Sequence, residues 1–138
     1  MEGEIKQGFT MKKITQAEFN FLYVSTLDDP IYRPALEDAQ HFYLKQLLSD
    51  HGCFPDLTGL CLRNLNLRYA DFSGLNLTGT DLSGSVCHYA NFSDAICDDV
   101  LTDDYTRFYH SILTEAQLLQ MRSSFALAGD VVSQVEFE

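Results

Sequence analysis

From Pro55 to Asp104 the sequence keeps a period of five. Read in fives it runs PDLTG, LCLRN, LNLRY, ADFSG, LNLTG, TDLSG, SVCHY, ANFSD, AICDD, VLTDD. The third place holds Leu57, Leu62, Leu67, Phe72, Leu77, Leu82, Cys87, Phe92, Cys97 and Thr102, nine of them apolar. The first place is small or apolar, the second is usually Asp or Asn, and the last two are mostly Ser, Thr, Gly, Asp or Asn. A period of five fits neither a helix at ~3.6 residues nor a strand at ~2. One unit cannot bury its own apolar positions, so the units must stack on copies of themselves. The repeat therefore predicts a solenoid.

The ten units resemble the pentapeptide-repeat family, whose pattern is A(D/N)LXX. The resemblance implies a β-solenoid in the form of a short right-handed quadrilateral β-helix, with one pentapeptide per side and the third place pointing inward. Ten units then give about two and a half coils, a column only ~12 Å tall at the ~4.8 Å spacing of neighbouring strands. Every fourth unit stacks. Phe72 lies under Phe92 and Ala70 under Ala90; Leu57, Leu77 and Cys97 form one inner column, Leu67 and Cys87 another. Outside, Tyr69 lies under Tyr89, Thr58 under Thr78 and Ser73 under Ser93.

The flanks divide the chain into a polar N-terminal extension (1–12), a helical N-terminal cap (13–52), the repeat (53–104) and a loop, C-terminal capping helix and tail (105–138). Thr15 and Glu18 have capping-box spacing, which predicts a helix over about 15–26. Asp28-Asp29-Pro30 ends it. Pro34 opens a second predicted helix over about 34–49, with Leu36, Ala39, Tyr43 and Leu47 as its apolar stripe, widened by Phe42, Leu44 and Leu48, and Gly52 at its end. Solenoid ends expose apolar surface and unpaired backbone, so these helices are expected to cover the first coil. After Asp104 the phase breaks. A one-residue slip would bring Phe108, Leu113 and Leu118 inward, but the preferred expectation is a loop through 105–112, then a helix from N-cap Thr114 to Gly129. Val131 to Phe137 alternates as a strand does.

The chain carries 20 Asp and Glu against 9 Lys and Arg, a net charge of −11. That balance argues against direct binding to nucleic acid or to an anionic membrane. There is no apolar run long enough to span a bilayer. Met1 to Thr10 lacks the apolar core of a secretory signal, and Cys53, Cys61, Cys87 and Cys97 show no Cys-x-x-Cys pair. Reduced thiols and a cytoplasmic location follow. No zinc-ligand spacing, nucleophile elbow, phosphate loop or metalloprotease motif occurs. His88 and His110 sit near polar and acidic residues without a pocket to serve. The expectation is no enzyme, no metal and no cofactor.

What remains is a non-enzymatic protein–protein interaction module, and two surfaces compete for the role. The first is acidic: Asp94, Asp98, Asp99, Asp103 and Asp104 occupy outward places where stability does not call for them. The resemblance extends to quinolone-resistance members, acidic solenoids that look like duplex DNA and bind DNA gyrase, though those solenoids are much longer. It implies a DNA-mimic inhibitor of a DNA-handling enzyme, in a bacterial or phage setting. The second is a general adaptor surface of Tyr69 and Tyr89, the helical caps, or a C-terminal strand with Val135 and Phe137. The resemblance also implies a homodimer through the C-terminal end.

Overall fold

A computed structural model describes residues 10–37, 39–123 and 136–137. The repeat folds as a β-solenoid whose ladder is built mainly of single bridges; no strand among the described residues exceeds two residues. Parallel bridges join second-place residues twenty apart in four columns. Asp56, Asn76 and Ile96 form one column; Cys61, Asp81 and Leu101 the next; Asn66 and Val86 the third; Asp71 and Asn91 the fourth. Third-place N–H groups donate up the stack, as Leu57 does to the Asn76 carbonyl at 2.9 Å and Phe72 to the Asn91 carbonyl at 2.8 Å.

The corners explain the composition of each unit. The first-place N–H returns to the third-place carbonyl of the preceding unit, as in Leu60 to Leu57 at 3.1 Å and Leu75 to Phe72 at 3.1 Å. Between them every fifth place from 59 to 99 has a positive φ, 56° to 73°. A turn closed this way with a left-handed second central residue is a type II turn, which favours Gly or Asn there. Four of the nine are Gly, and at Gly84 a Cβ would stand 2.0 Å from Asn64 Oδ1, so that side chain would have to move. The second-place Asp or Asn carboxylate or amide oxygen accepts the N–H two residues on, as Asp56 does from Thr58 at 2.8 Å and Asn76 from Thr78 at 3.0 Å. That local bond is why the second place is Asp or Asn.

The third-place residues fill the interior. Leu57, Leu62, Leu67, Phe72, Leu77, Leu82, Cys87, Phe92 and Cys97 are fully buried. Phe72 and Phe92 stack with ring centroids 4.8 Å apart and planes at 10°. Tyr69 and Tyr89 stack outside in the same way, at 4.8 Å and 4°. Polar first-place residues bury their hydroxyls by donating to carbonyls, Thr80 to Leu57 at 2.9 Å and Ser85 to Leu62.

The first helix, α1 (Gln16–Ser25), forms where the capping box placed it. Thr15 Oγ1 accepts from the Glu18 N–H, and the Glu18 carboxylate accepts from the Thr15 N–H at 2.9 Å. The ammonium of Lys12, first, and then the backbone N–H and hydroxyl of Thr15 hold the Glu18 carboxyl down to about 2. Helix α1 is tied to the coil: Gln16 bonds the Cys61 backbone on both sides, and the Tyr23 hydroxyl accepts from the Asn66 N–H at 2.9 Å.

The single helix expected over 34–49 is not what forms. Strands β1 (Ala35–Leu36) and β2 (Ala39–Gln40) pair antiparallel, and helix α2 begins only at Leu44 (Leu44–Asp50). The helix loses because Phe42 joins the solenoid: its N–H donates to the Tyr69 carbonyl, and its carbonyl accepts from Asp71. Phe42 is fully buried, with the guanidinium of buried Arg33 3.6 Å from its ring centroid. Of the expected stripe Leu47 is buried, as are Phe42, Leu44 and Leu48 that widen it, while Leu36 and Tyr43 are exposed.

The loop expected through 105–112 is also corrected. The ladder continues there with every partner one residue late: Val86 bridges Arg107 and Asn91 bridges Ile112. Phe108 and Leu113 are fully buried, as the shifted phase requires. Strands β3 (Leu101–Thr102) and β5 (Arg122–Ser123) pair parallel, as do β4 (Ile112–Leu113) and β6 (Glu136–Phe137). Between β4 and β5, helix α3 (Glu115–Gln120) has the expected N-cap Thr114, with Gln117 completing a capping box. It stops short because the Arg122 N–H rejoins the ladder at the Val100 carbonyl. The end expected at Gly129, the first nine residues and tail residues 131–135 lie outside the described residues. At 136–137 the tail pairs with the chain's own coil.

Phe92 rests on Phe72 below and meets Phe108 above at 5.9 Å. Phe92→Ala should cost roughly 3–5 kcal/mol, read as a lower urea midpoint at unchanged m-value.

Candidate interaction surfaces

The five acidic residues do not form one face. They occupy successive corners of the coil, so Asp94, Asp98–Asp99 and Asp103–Asp104 look outward in different directions around its C-terminal half. Asp99 is ion-paired with Arg122 Nε. Asp94, Asp98 and Asp104 are exposed.

Asp103 has an internal task. The unit beginning at Val100 has one residue too many, and Asp103 takes up the slack. Its Oδ1 accepts from the Tyr105 N–H and the Thr106 N–H, each at 3.0 Å. The same oxygen accepts from the Gly84 N–H at 2.9 Å, where other corners offer a backbone carbonyl from the coil above. Partial burial alone would raise the Asp103 carboxyl, but the N–H bonds outweigh it and bring it below the usual range.

The tyrosines form a continuous ladder along one corner. His41, Tyr69, Tyr89 and His110 follow one another with ring centroids 4.6, 4.8 and 5.1 Å apart. Beside them runs a shorter pair, His88 and Tyr109, at 5.8 Å. Stacking covers the faces of the rings and leaves edges and hydroxyls to solvent; Tyr89 is 44% exposed and Tyr109 49%. Tyr69, Tyr89 and His110 all have φ between 55° and 60°. A bulky residue in that region costs roughly 1–2 kcal/mol, and these corners carry rings where the others carry Gly, Asn or Asp.

Two cations, Arg68 and Arg107, stand near this corner. Burial first, then the charges of Arg68, Arg107 and His110, lower the His88 pKa. A basic and aromatic corner thus stands on a chain of net charge −11. The edges of aromatic rings are the positive part of their quadrupole, so rings and guanidinium groups favour the same kind of partner, an anionic one.

The remaining sequence candidates fall elsewhere. Phe137 lies in β6, its backbone paired with Leu113; Val135 is outside the described residues. Buried Cys53, Cys87 and Cys97 belong to the core, and burial pushes the Cys97 thiol up to about 12 and that of Cys87 higher still. Sequence reasoning missed His41, which closes the ladder from below. Its signal was weak, since it lies outside the repeat.

Residues 56–96 match the model of pentapeptide repeats in eight copies, so this segment is a run of pentapeptide repeats. No curated protein and no solved structure matches the chain. Among the described residues no helix is long and apolar enough to cross a membrane.

Two outcomes are expected. Asp103→Ala removes the side-chain acceptor of the Gly84 and Tyr105 N–H groups and should cost about 1–3 kcal/mol. Because the folded carboxyl lies below its unfolded value, its contribution is present above about pH 4 and lost as the pH falls further. Acid titration of stability should therefore be shallower in the variant. With a thiol reagent, exposed Cys61 should react at once in the native protein and the three buried cysteines only on unfolding.

Proposed function

We propose that this chain is a non-enzymatic protein–protein interaction module that grips an anionic segment of its partner along the Tyr69–Tyr89 corner. The observation that carries the reading is the aromatic column flanked by Arg68, His88 and Arg107. Stability does not ask for tyrosine at a left-handed corner, so the rings serve another purpose. The fold that presents them is read as a right-handed, four-sided coil, with the helical segment before it and α3 after it as covers. Free thiols in the core suit a reducing, cytoplasmic setting.

A second reading rests on the net charge of −11 and the exposure of Asp94, Asp98 and Asp104. In it the chain is a DNA-mimic inhibitor of a DNA-handling enzyme. It is the weaker of the two because Asp99 is paired, Asp103 is engaged in a turn, and the rest face different ways.

The two separate in a pull-down from bacterial lysate with three baits. Tyr69→Gly/Tyr89→Gly relieves the left-handed strain as it removes the rings, so stability should change by no more than about 1 kcal/mol. The proposed reading expects this bait to lose its partner while Asp94→Asn/Asp98→Asn/Asp104→Asn keeps it. The reverse result, with capture competed by duplex DNA, would establish the acidic reading instead.

A further inference from the structure

The chain has four histidines, His41, His51, His88 and His110. Three of them stand at the tyrosine corner, and they come from three separate stretches of chain. His41 follows β2 and lies on Tyr69 at 4.6 Å; His110 precedes β4 and lies on Tyr89 at 5.1 Å. His88 comes from inside the repeat and meets Tyr109 edge-on at 5.8 Å. His51 caps the end of α2, beside Tyr32. Neither the ladder nor the turn calls for histidine. Tyrosine fills the two middle rungs, and the other left-handed corners of the repeat carry Gly, Asn or Asp.

Histidine is the side chain whose ordinary change of charge falls between pH 5 and 8. Above that range the cations of the corner are Arg68 and Arg107; below it the imidazoles join them. An imidazolium over the face of a tyrosine is a favourable cation–π contact, so charging the ends of the ladder does not break the stack. The groups that face the three rings directly are Tyr69, Tyr89 and Tyr109. Arg68 donates to Asn66 Oδ1 and Arg107 to the Asp104 carbonyl. Burial, and then Arg68, Arg107 and His110, keep His88 neutral to lower pH than an ordinary histidine. Four carboxylates lie in neighbouring places. Asp71 holds the N–H and hydroxyl of Ser73, Glu37 and Asp104 are exposed, and Glu136 pairs with Ile112 in β6.

We propose that protonation of His41, His88 and His110 controls this corner, so that the chain takes hold of an acidic peptide segment in mildly acidic conditions and releases it as the pH rises. This control belongs to the anionic grip proposed above and rests on that reading. Linkage fixes its sign in both directions. If protons tighten the hold on the peptide, the bound peptide must tighten the hold of the imidazoles on protons.

A labelled peptide of six aspartates tests it, because its carboxylates stay charged from about pH 8 to about pH 5.5. Binding to the full chain is measured at those two pH values and one low ionic strength, with circular dichroism as a check on folding. Wild type should bind about tenfold tighter or more at the lower pH. His41→Gln/His88→Gln/His110→Asn should change by less than about threefold between the same two values; Asn suits the left-handed backbone at 110. In a proton NMR titration the bound peptide should raise the midpoints of His41, His88 and His110 and leave that of His51 in place. A wild type that binds equally at both pH values overturns the proposal and leaves the grip standing. So does a triple variant that keeps the acid gain, which assigns the gain to the chain's many carboxylates. A wild type that binds at neither pH, or binding that Tyr69→Gly/Tyr89→Gly leaves unchanged, removes the grip itself and its control with it.

Discussion

The structure depends on one hydrogen bond repeated around the coil, from the N–H of a fifth-place residue to the fourth-place carbonyl nineteen residues on. Gly59 to Thr78, Tyr69 to His88 and Gly79 to Asp98, all at 2.9 Å, are instances. The bond forms only if the donor's backbone turns left-handed, and the left-handed turn is what bends the chain through each corner. With the corners fixed, the third-place side chains have nowhere to point but inward. The apolar core follows from the turns as much as the turns follow from the core.

What the sequence made legible follows from this. Between Pro55 and Asp104 each place in the unit has one local cause: an oxygen that accepts the N–H two residues on, a side chain that fills the interior, a residue that tolerates positive φ. Local causes are readable from one sequence, so the Phe72–Phe92 and Tyr69–Tyr89 columns could be drawn before any coordinates. Outside the repeat the causes are long-range. Nothing near Phe42 in sequence says that its backbone will pair with Tyr69 and Asp71, and that pairing breaks a segment whose own spacing is helical. The continuation past Asp104 was visible only as a weak shifted phase, because a carboxylate rather than a backbone carbonyl carries the register across the extra residue. Asp103 thus looked like part of an acidic surface, and its environment gave it a turn to hold.

Charge is distributed by the same geometry. A period of five with bridges twenty residues apart sends acidic residues in consecutive units to different columns, and brings residues four units apart into one. Asp94, Asp98 and Asp104 are dispersed by this rule. Tyr69 and Tyr89 are gathered by it, and the chain adds His41 below and His110 above them from outside the strict repeat. The corner has therefore been extended at both ends by residues that the repeat itself did not supply.

The extra residue at the Asp103 corner carries a consequence for how such a chain can change. The ladder passes the longer unit by shifting its bridges from twenty residues apart to twenty-one, as Val86 with Arg107 and Asn91 with Ile112, because a side chain bridges the gap. The solenoid behaves like a column of bricks in which one course is a little longer and still rests on the course below. Corners held by a carboxylate in this way are the places where the chain can accept inserted loops, and so new contact surfaces, without rebuilding its interior.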